Sequence, residues 1–148
     1  MGKGEKQLAE AINIATTVHH RQFDKAGMPY ILHPLHLMNS FMDDLELAAI
    51  AVLHDVIEDG GVDISLCTLR SCMSERVVDA VDHLTHADGE TYDDYITRVS
   101  ENFDAVRVKL ADLLHNSDET RLKRVTNKDI ARRQKYNRAY LRLTALHS

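Results

Sequence analysis

The stretch LELAAIAVLHDVIE, residues 45–58, decides the fold class. It is apolar on almost every side when it is read as a helix, which is typical of a helix that is buried all round. Asp43 and Asp44 before it offer a cap for the first turn. Gly60 and Gly61 after it provide a stop. We therefore predict a buried central helix over residues 45–58, with the rest of the chain packed around it.

Helical periodicity extends outward from this segment. Between Glu5 and about His20, apolar residues recur at steps of three and four. Residues 21–30 break the pattern with Gly27 and Pro29, which indicates a loop. Strand-like alternation is absent, and no repeat or linker divides the 148 residues. We predict one all-α domain over residues 1–148. A second helix begins near Pro34, and further helices cover roughly 65–73, 75–85, 91–101, 103–116 and 127–146. The helix over 127–146 either closes the core or packs on a partner.

Amino-acid composition and net charge limit the classes of protein to which this chain can belong. Hydrophobic residues make up 44% and charged residues 28%, an ordinary globular balance. The formal charge of −5 argues against nucleic-acid binding, because few surplus cations remain to neutralise a phosphate backbone. The longest apolar run, AAIAVL at 48–53, is too short to span a bilayer, and the first residues lack a signal peptide. We expect a cytoplasmic protein that binds neither nucleic acid nor membrane; the oligomeric state stays open.

Titratable residues are embedded in the most apolar parts of the chain. HDVIED at 54–59 closes the central helix, and ADLLHN at 111–116 follows the apolar run VRVKLA. The third location is His33, which stands just before Pro34 at a predicted helix start. Burial of such groups costs several kcal/mol each unless they find partners. A bound cation is a partner that satisfies all of them.

The donor types favour a particular class of ion. Two imidazoles and two carboxylates provide a mixed nitrogen and oxygen set, from His33, His54, Asp55 and Asp112. Such a set suits manganese, iron or another ion that tolerates octahedral geometry, such as cobalt, better than a closed zinc–thiolate site. With positions left for water and a phosphate oxygen, the ion would lower the pKa of the water and polarise the phosphoryl group.

Helical spacing indicates which groups assist. His54 and Glu58 are four residues apart and share one face of a continuous helix, as do Asp55 and Asp59. Glu58 and Asp59 are therefore candidates to position the attacking water or to carry its proton. The sequence thus predicts a metal-dependent phosphohydrolase.

Three motifs in this order resemble the hydrolase domain of RelA/SpoT-type alarmone enzymes and their small stand-alone relatives, among them the metazoan SpoT homologue. They are AGMPYILHPL (26–35), AAIAVLHDVIEDG (48–60) and VKLADLLHN (108–116). The resemblance covers about residues 5–120. It implies an all-α HD-domain bundle that binds manganese and removes the 3′-pyrophosphate from guanosine tetra- and pentaphosphate.

The resemblance also implies roles for single residues. It makes metal ligands of His33, His54, Asp55 and Asp112. It assigns activation of the water to Glu58 and Asp59, and contact with the nucleotide to Asn116. Lys25 matches a basic residue of the family's nucleotide-binding loop. His20 and Tyr30 flank that loop and are expected in the pocket.

Two departures leave the substrate open. Asp24 stands where the family usually has an arginine next to the lysine, and SDE at 117–119, with Asp118, replaces an often basic segment. Like charges repel in a partly desolvated cleft, so both changes oppose a highly anionic alarmone. An alternative substrate is a nucleoside monophosphate or the 2′-phosphate of NADPH. A second alternative is a nucleotide-binding sensor without turnover.

The same reasoning leaves smaller alternatives. Tyr92 and Tyr95 either line a nucleotide pocket or pack in the core, and packing is favoured. Three cations, Arg121, Lys123 and Arg124, either replace the missing positive charge or form a solvated face with the basic C-terminal stretch, and the solvated face is favoured. A synthetase activity is not expected, since little of the chain remains for a second catalytic domain.

Overall fold

In the computed structural model, which describes residues 2–117 and 125–147, every regular element is helical except an isolated bridge between Phe23 and Pro29. A short 3-10 turn at Gly61–Asp63 lies between the fourth and fifth helices. The predicted all-α class is confirmed. The helices are α1 (Lys3–Val18), α2 (Leu32–Asn39), α3 (Leu45–Leu53), α4 (Val56–Asp59), α5 (Leu66–Arg70), α6 (Glu75–Leu84), α7 (Tyr92–Val99), α8 (Phe103–Asn116) and α9 (Asn127–His147).

Helix α3 is the centre of the bundle. Every residue from Leu47 to Leu53 is buried, and the helix contacts α1, α2, α6 and α8. Asp44 caps it, because its side chain accepts a hydrogen bond from the backbone N–H of Leu47 at 3.3 Å. Each fully buried leucine or isoleucine contributes roughly 1.5–3 kcal/mol, so this helix anchors the core. The predicted buried central helix is confirmed over this part.

The prediction of one continuous helix over 45–58 is wrong. Helix α3 ends at Leu53, Asp55 has φ −113° and ψ 2°, and α4 begins at Val56. The ring nitrogen Nδ1 of His54 lies 2.7 Å from the carbonyl oxygen of Ala51. That oxygen would accept the N–H of Asp55 in a continuous helix, so the imidazole competes with the backbone and the helix breaks.

The loop at 21–30, helix α2 and helix α9 agree with the predictions more closely. The loop at 21–30 is confirmed, and Gly27 there has a positive φ of 84°. His33 and Pro34 lie in the first turn of α2. Helix α9 packs on α8 and α7 and buries Leu143, so it closes the core as one of the two predicted alternatives.

Two predictions on the whole chain stay predictions. The single-domain boundary at 1–148 includes residues 118–124, which lie outside the described part. No helix of the described chain combines the length and the apolar character needed to cross a bilayer. The cytoplasmic location stays a prediction.

Candidate active site

The four predicted metal ligands meet where α2, the break between α3 and α4, and α8 converge. Nε2 of His33 lies 2.8 Å from Oδ1 of Asp112. Nε2 of His54 lies 3.4 Å from the same oxygen and 3.2 Å from Oδ2 of Asp55. One ligand atom from each of His33, His54 and Asp55 lies within 4.8 Å of the others. The fold thus brings the four side chains together, three of them buried and Asp55 partly so.

The cluster fits a divalent cation. Nδ1 of His54 is engaged with the carbonyl of Ala51, which leaves Nε2 of His54 as the free ring nitrogen. This Nε2 is buried and makes no hydrogen bond within the described residues, although two carboxylates lie close to it. A buried polar atom without a partner is costly, and coordination would satisfy it. Two nitrogens and two carboxylates form the mixed donor set of an octahedral-tolerant ion.

The charged side chains of the cluster shift one another's pKa values. Burial alone would raise the pKa of Asp55, but the neighbouring His54 outweighs it and holds this pKa at about 2. Burial would likewise lower the pKa of His54, yet the carboxylates of Asp55 and Asp112 raise it well above its ordinary value. Burial would also raise the pKa of Asp112, but Lys109 and the two histidines outweigh it and hold this pKa well below its ordinary value. Both carboxylates therefore keep their negative charge at the centre of the site, where a cation is favoured.

Lys109 completes the cluster, although the sequence analysis treated it as part of an apolar run. Its Nζ lies 2.9 Å from Oδ2 of Asp112. Burial would lower the pKa of Lys109, but attraction by Asp112 outweighs it and raises this pKa well above the ordinary value. The available signal was spacing: a lysine three residues before Asp112 lies on the same helix face.

A cavity of about 450 Å³ opens onto the cluster. Four further predicted site residues line it: Lys25, Tyr30, Glu58 and Asn116. The Tyr30 hydroxyl donates to Oδ2 of Asp55, and Nδ2 of Asn116 donates to Oδ1 of Asp112 at 2.9 Å. Both side chains therefore contact predicted metal ligands as well as the cavity. Their hydrogen bonds orient those carboxylates.

Glu58 and Asp59 point to different surroundings. Glu58 lines the cavity and accepts a hydrogen bond from the backbone N–H of His86 at 2.5 Å. Burial raises the pKa of Glu58. Asp59 does not line the cavity; it accepts from Nε2 of Gln22 at 3.2 Å and lies 3.7 Å from Nδ1 of His19. The two carboxylates differ because adjacent residues of one helix point roughly 100° apart.

His20 is exposed and does not line the cavity. The neighbouring His19 is buried instead, and its ring packs edge-on against Tyr30 with the centroids 4.8 Å apart. Helical periodicity could not predict which of the two histidines is buried. Helix α1 ends at Val18, so neither His19 nor His20 lies in the regular helix.

Asp24 lines the cavity but has a structural task in the loop. Its Oδ1 accepts hydrogen bonds from the backbone N–H groups of Ala26 at 2.9 Å and Met28 at 3.0 Å. These amides stabilise the negative charge, so the carboxylate opposes an anionic ligand less than a free one would.

Cations missed by the sequence analysis enter the cavity from α9. Arg132 and Arg133 line it together with Tyr136. Nη2 of Arg132 donates to Oδ1 of Asp129 at 2.8 Å, and Nζ of Lys25 lies 3.7 Å from the same oxygen. Arg133 is exposed and Arg132 is partly so, which is consistent with the solvated face that the sequence favoured, but both also border the cavity. Arg121, Lys123, Arg124 and Asp118 lie outside the described residues.

The two tyrosines of α7 do not line this cavity. Tyr95 is buried and donates its hydroxyl to the carbonyl oxygen of Leu84 at 2.7 Å. Tyr92 is half-buried and lies beneath Nζ of Lys135, 4.1 Å from the ring centroid. The packing role that the sequence favoured agrees with these contacts.

Fold and site together define a helical protein in which a His–Asp cluster lies at the floor of a cavity lined by side chains of both charges. The chain is 34% identical over 120 residues to the bifunctional (p)ppGpp synthase/hydrolase RelA of Mycobacterium tuberculosis. It is 30% identical over 123 residues to a probable guanosine-3′,5′-bis(diphosphate) 3′-pyrophosphohydrolase of Synechocystis. Each match covers 74% of this chain but 16% of the relative. No protein-family model matches the chain.

A solved structure extends the likeness to the fold. The chain superposes on a metazoan ortholog of SpoT, described as hydrolysing ppGpp, with a TM-score of 0.74 and 20% identity. The match covers 93% of this chain and 84% of that one. The predicted resemblance to RelA/SpoT-type alarmone enzymes is confirmed, as is the helical bundle that it implied.

Proposed function

We propose that this protein is a divalent-metal-dependent phosphohydrolase that removes the 3′-pyrophosphate from guanosine 3′,5′-bis(diphosphate). The observation that carries the proposal is the buried cluster of His33, His54, Asp55 and Asp112 at the floor of a cavity with cations on its wall. The names of the relatives support the same chemistry. A cavity of about 450 Å³ lies in the range of small-molecule sites.

The four clustered side chains would hold the cation, with manganese as first choice and iron or cobalt as alternatives. A divalent cation in such a site supplies activation of water and polarisation of a phosphoryl group. Glu58 is proposed to accept the proton of the attacking water, and its raised pKa suits a general base. The water adds to the phosphorus attached to the 3′ oxygen, and the bond between that phosphorus and the 3′ oxygen breaks. The proton that Glu58 takes from the water is returned to the 3′ oxygen, so the products are guanosine 5′-diphosphate with a free 3′ hydroxyl and pyrophosphate. Asp59 does not line the cavity, and it is proposed to assist through Gln22, a lining residue that donates to its carboxylate at 3.2 Å.

Substrate binding is proposed for residues at the cavity wall. Lys25 and Asn116 keep the roles predicted for them, and Arg132 and Arg133 join them as ligands for phosphate oxygens, because guanidinium groups bind phosphate bidentately. Tyr30 is proposed to contact the substrate, supported by its position at the cavity wall and its hydrogen bond to Asp55. The proposed role of His20 rests on the resemblance alone.

The test measures pyrophosphate and orthophosphate release from metal-stripped protein, with and without added Mn²⁺. The substrates are guanosine tetraphosphate, NADPH and the nucleoside monophosphates. We expect Mn²⁺-dependent pyrophosphate release from the alarmone, lost together with Mn²⁺ binding in Asp55→Ala. The exposed Glu101→Gln serves as the matched control and should retain both.

Other outcomes would overturn parts of the proposal. Orthophosphate release from NADPH or a monophosphate, with the alarmone untouched, would retain the metal site and reject the substrate. Bound Mn²⁺ without turnover on any substrate would favour the sensor. Failure to bind Mn²⁺ would reject the metal site itself.

A further inference from the structure

A third histidine, His115, contacts the predicted ligand His33. The Nδ1 atoms of His33 and His115 lie 2.6 Å apart, whereas Nε2 of His33 lies 2.8 Å from Oδ1 of Asp112. His115 is on α8, three residues after Asp112, and is half-buried. The two ring nitrogens of His33 therefore have separate partners, one at the metal cluster and one at His115.

The other ligand histidine is held by a comparable contact. Nδ1 of His54 lies 2.7 Å from the carbonyl oxygen of Ala51, and this backbone acceptor leaves Nε2 free to coordinate. Histidines that bind metals usually donate their second ring N–H to a fixed acceptor, which sets the tautomer and the orientation of the ring. At His33 the corresponding position is taken by the ring nitrogen of His115.

We propose that His115 is a positioning residue: its Nδ1 accepts the Nδ1–H of His33 and thereby keeps Nε2 of His33 as the metal-binding atom. The inference deepens the proposed function and rests on it. For the bond to form, His115 carries its own proton on Nε2, since one ring nitrogen of a neutral imidazole donates and the other accepts.

The orientation of His115 is itself supported by α2. The ring of His36, three residues after His33, stacks on the ring of His115 with centroids 4.1 Å apart and planes 16° apart. The planes of His33 and His115 differ by only 8°. His115 is thus placed by two side chains from one helix face, of which only His33 shares the short nitrogen contact.

The test is a Mn²⁺ titration of metal-stripped protein, with free Mn²⁺ followed by electron paramagnetic resonance and no substrate present. His115→Phe keeps an aromatic ring and loses the acceptor. His115→Asn places a carbonyl oxygen near the position of Nδ1. His36→Ala is the control, because it removes the stacked ring and leaves the nitrogen contact. We expect Mn²⁺ to bind about 10- to 100-fold more weakly to His115→Phe and close to wild type to His115→Asn. The loss in His36→Ala should be smaller than that in His115→Phe, because the acceptor nitrogen is retained.

A second measurement reads the tautomer directly. In Zn²⁺-loaded wild type, long-range ¹H–¹⁵N spectra should show the proton of His33 on Nδ1. An unprotonated Nδ1 there would overturn the proposal, without any need for a variant that folds.

Two results of the Mn²⁺ titration would also overturn the proposed role of His115. Either His115→Phe binds Mn²⁺ as wild type does, or His115→Asn is as weak as His115→Phe while both retain the native circular-dichroism spectrum. If wild type binds no Mn²⁺, the proposed function fails as well; if wild type binds and the variants behave alike, only the role of His115 fails.

Discussion

Nζ of Lys109 lies 2.9 Å from Oδ2 of Asp112, while Oδ1 of the same carboxylate faces Nε2 of His33 at 2.8 Å. One oxygen of Asp112 is thus paired with a cation of its own helix, and the other is directed to the metal cluster. Because Lys109 and Asp112 are both largely buried, removal of Lys109 takes from Asp112 its strongest charge partner. Among the described residues the carboxylate then retains His33, His54 and Asn116.

Lys109→Met should therefore destabilise the metal-free protein by about 3–5 kcal/mol, and Mn²⁺ should restore more stability to this variant than to wild type. Urea unfolding with EDTA or with Mn²⁺ measures both effects. Lys128→Met, an exposed position of α9, is the matched control. Unchanged stability of Lys109→Met in EDTA would contradict the buried pair. In a double-mutant cycle, Lys109→Met and Asp112→Asn should be strongly non-additive.

Glu58→Gln should reduce kcat by about 10²–10⁴-fold, because the amide cannot accept the proton of the attacking water. The Mn²⁺ dissociation constant should remain that of wild type, since Glu58 is not among the clustered ligands. Steady-state kinetics at saturating Mn²⁺ and a separate metal titration check the two statements. Full turnover with a saturated metal site would reject the general-base role.

Arg133→Gln should raise KM for guanosine tetraphosphate by about 10- to 100-fold, the loss expected for one hydrogen bond between charged groups. Arg133 lines the cavity, whereas Arg138 is exposed on the same helix and does not. Arg138→Gln removes the same charge and is the control for long-range attraction. Equal KM values in the two variants would mean that α9 contributes only long-range electrostatic attraction to the substrate.

Two variants of Asp24 separate the effect of its charge on KM from the effect of its hydrogen bonds in the loop. Asp24→Asn retains a carbonyl oxygen for the N–H groups of Ala26 and Met28, so KM should stay near that of wild type. Asp24→Ala removes both hydrogen bonds and should raise KM by about tenfold through a less ordered loop. If Asp24→Asn instead lowers KM markedly, repulsion between the carboxylate and the substrate dominates, as the sequence alone had indicated.

Arg76, in the first turn of α6, connects the N-terminal ends of α3 and α8 through Asp44 and Asp104. Its ion pairs allow a test of how stability depends on pH. It donates to both oxygens of Asp44, at 3.2 and 2.8 Å, and to both oxygens of Asp104, at 2.9 and 3.0 Å. The hydrogen bond from Arg76 lowers the pKa of Asp44 below its ordinary 3.8. A lowered carboxyl pKa stabilises the fold above the ordinary value, and this contribution is lost as the pH falls through the lowered value.

Arg76→Leu should therefore cost about 1 kcal/mol at neutral pH, with screening by water included because 36% of the side chain is exposed. The cost should shrink in acid, where Asp44 becomes protonated. Urea unfolding at neutral and acidic pH measures it, with the exposed Arg70→Leu as control. A cost that does not change with pH would show that Arg76 acts through packing of its alkyl chain.

Periodicity and composition were sufficient for the central helix, the loop at 21–30 and the all-α class, because these depend on contacts that repeat every three or four residues. The same local information indicated the four ligand candidates, since titratable groups inside apolar segments need a partner. Side-chain competition for a backbone carbonyl has no such periodicity. The break at His54 and Asp55, set by the carbonyl of Ala51, was therefore predicted as continuous helix.

The sequence by itself determined that His33, His54, Asp55 and Asp112 had to be satisfied together, because burial of each one alone is too costly. Only the tertiary structure decided their neighbours. His33 and Asp112 are 79 residues apart, and the arginines of α9 reach the same cavity from the end of the chain. Contacts between residues so distant in sequence follow from how helices pack, and no local spacing encodes which faces of α8 and α9 meet the cavity.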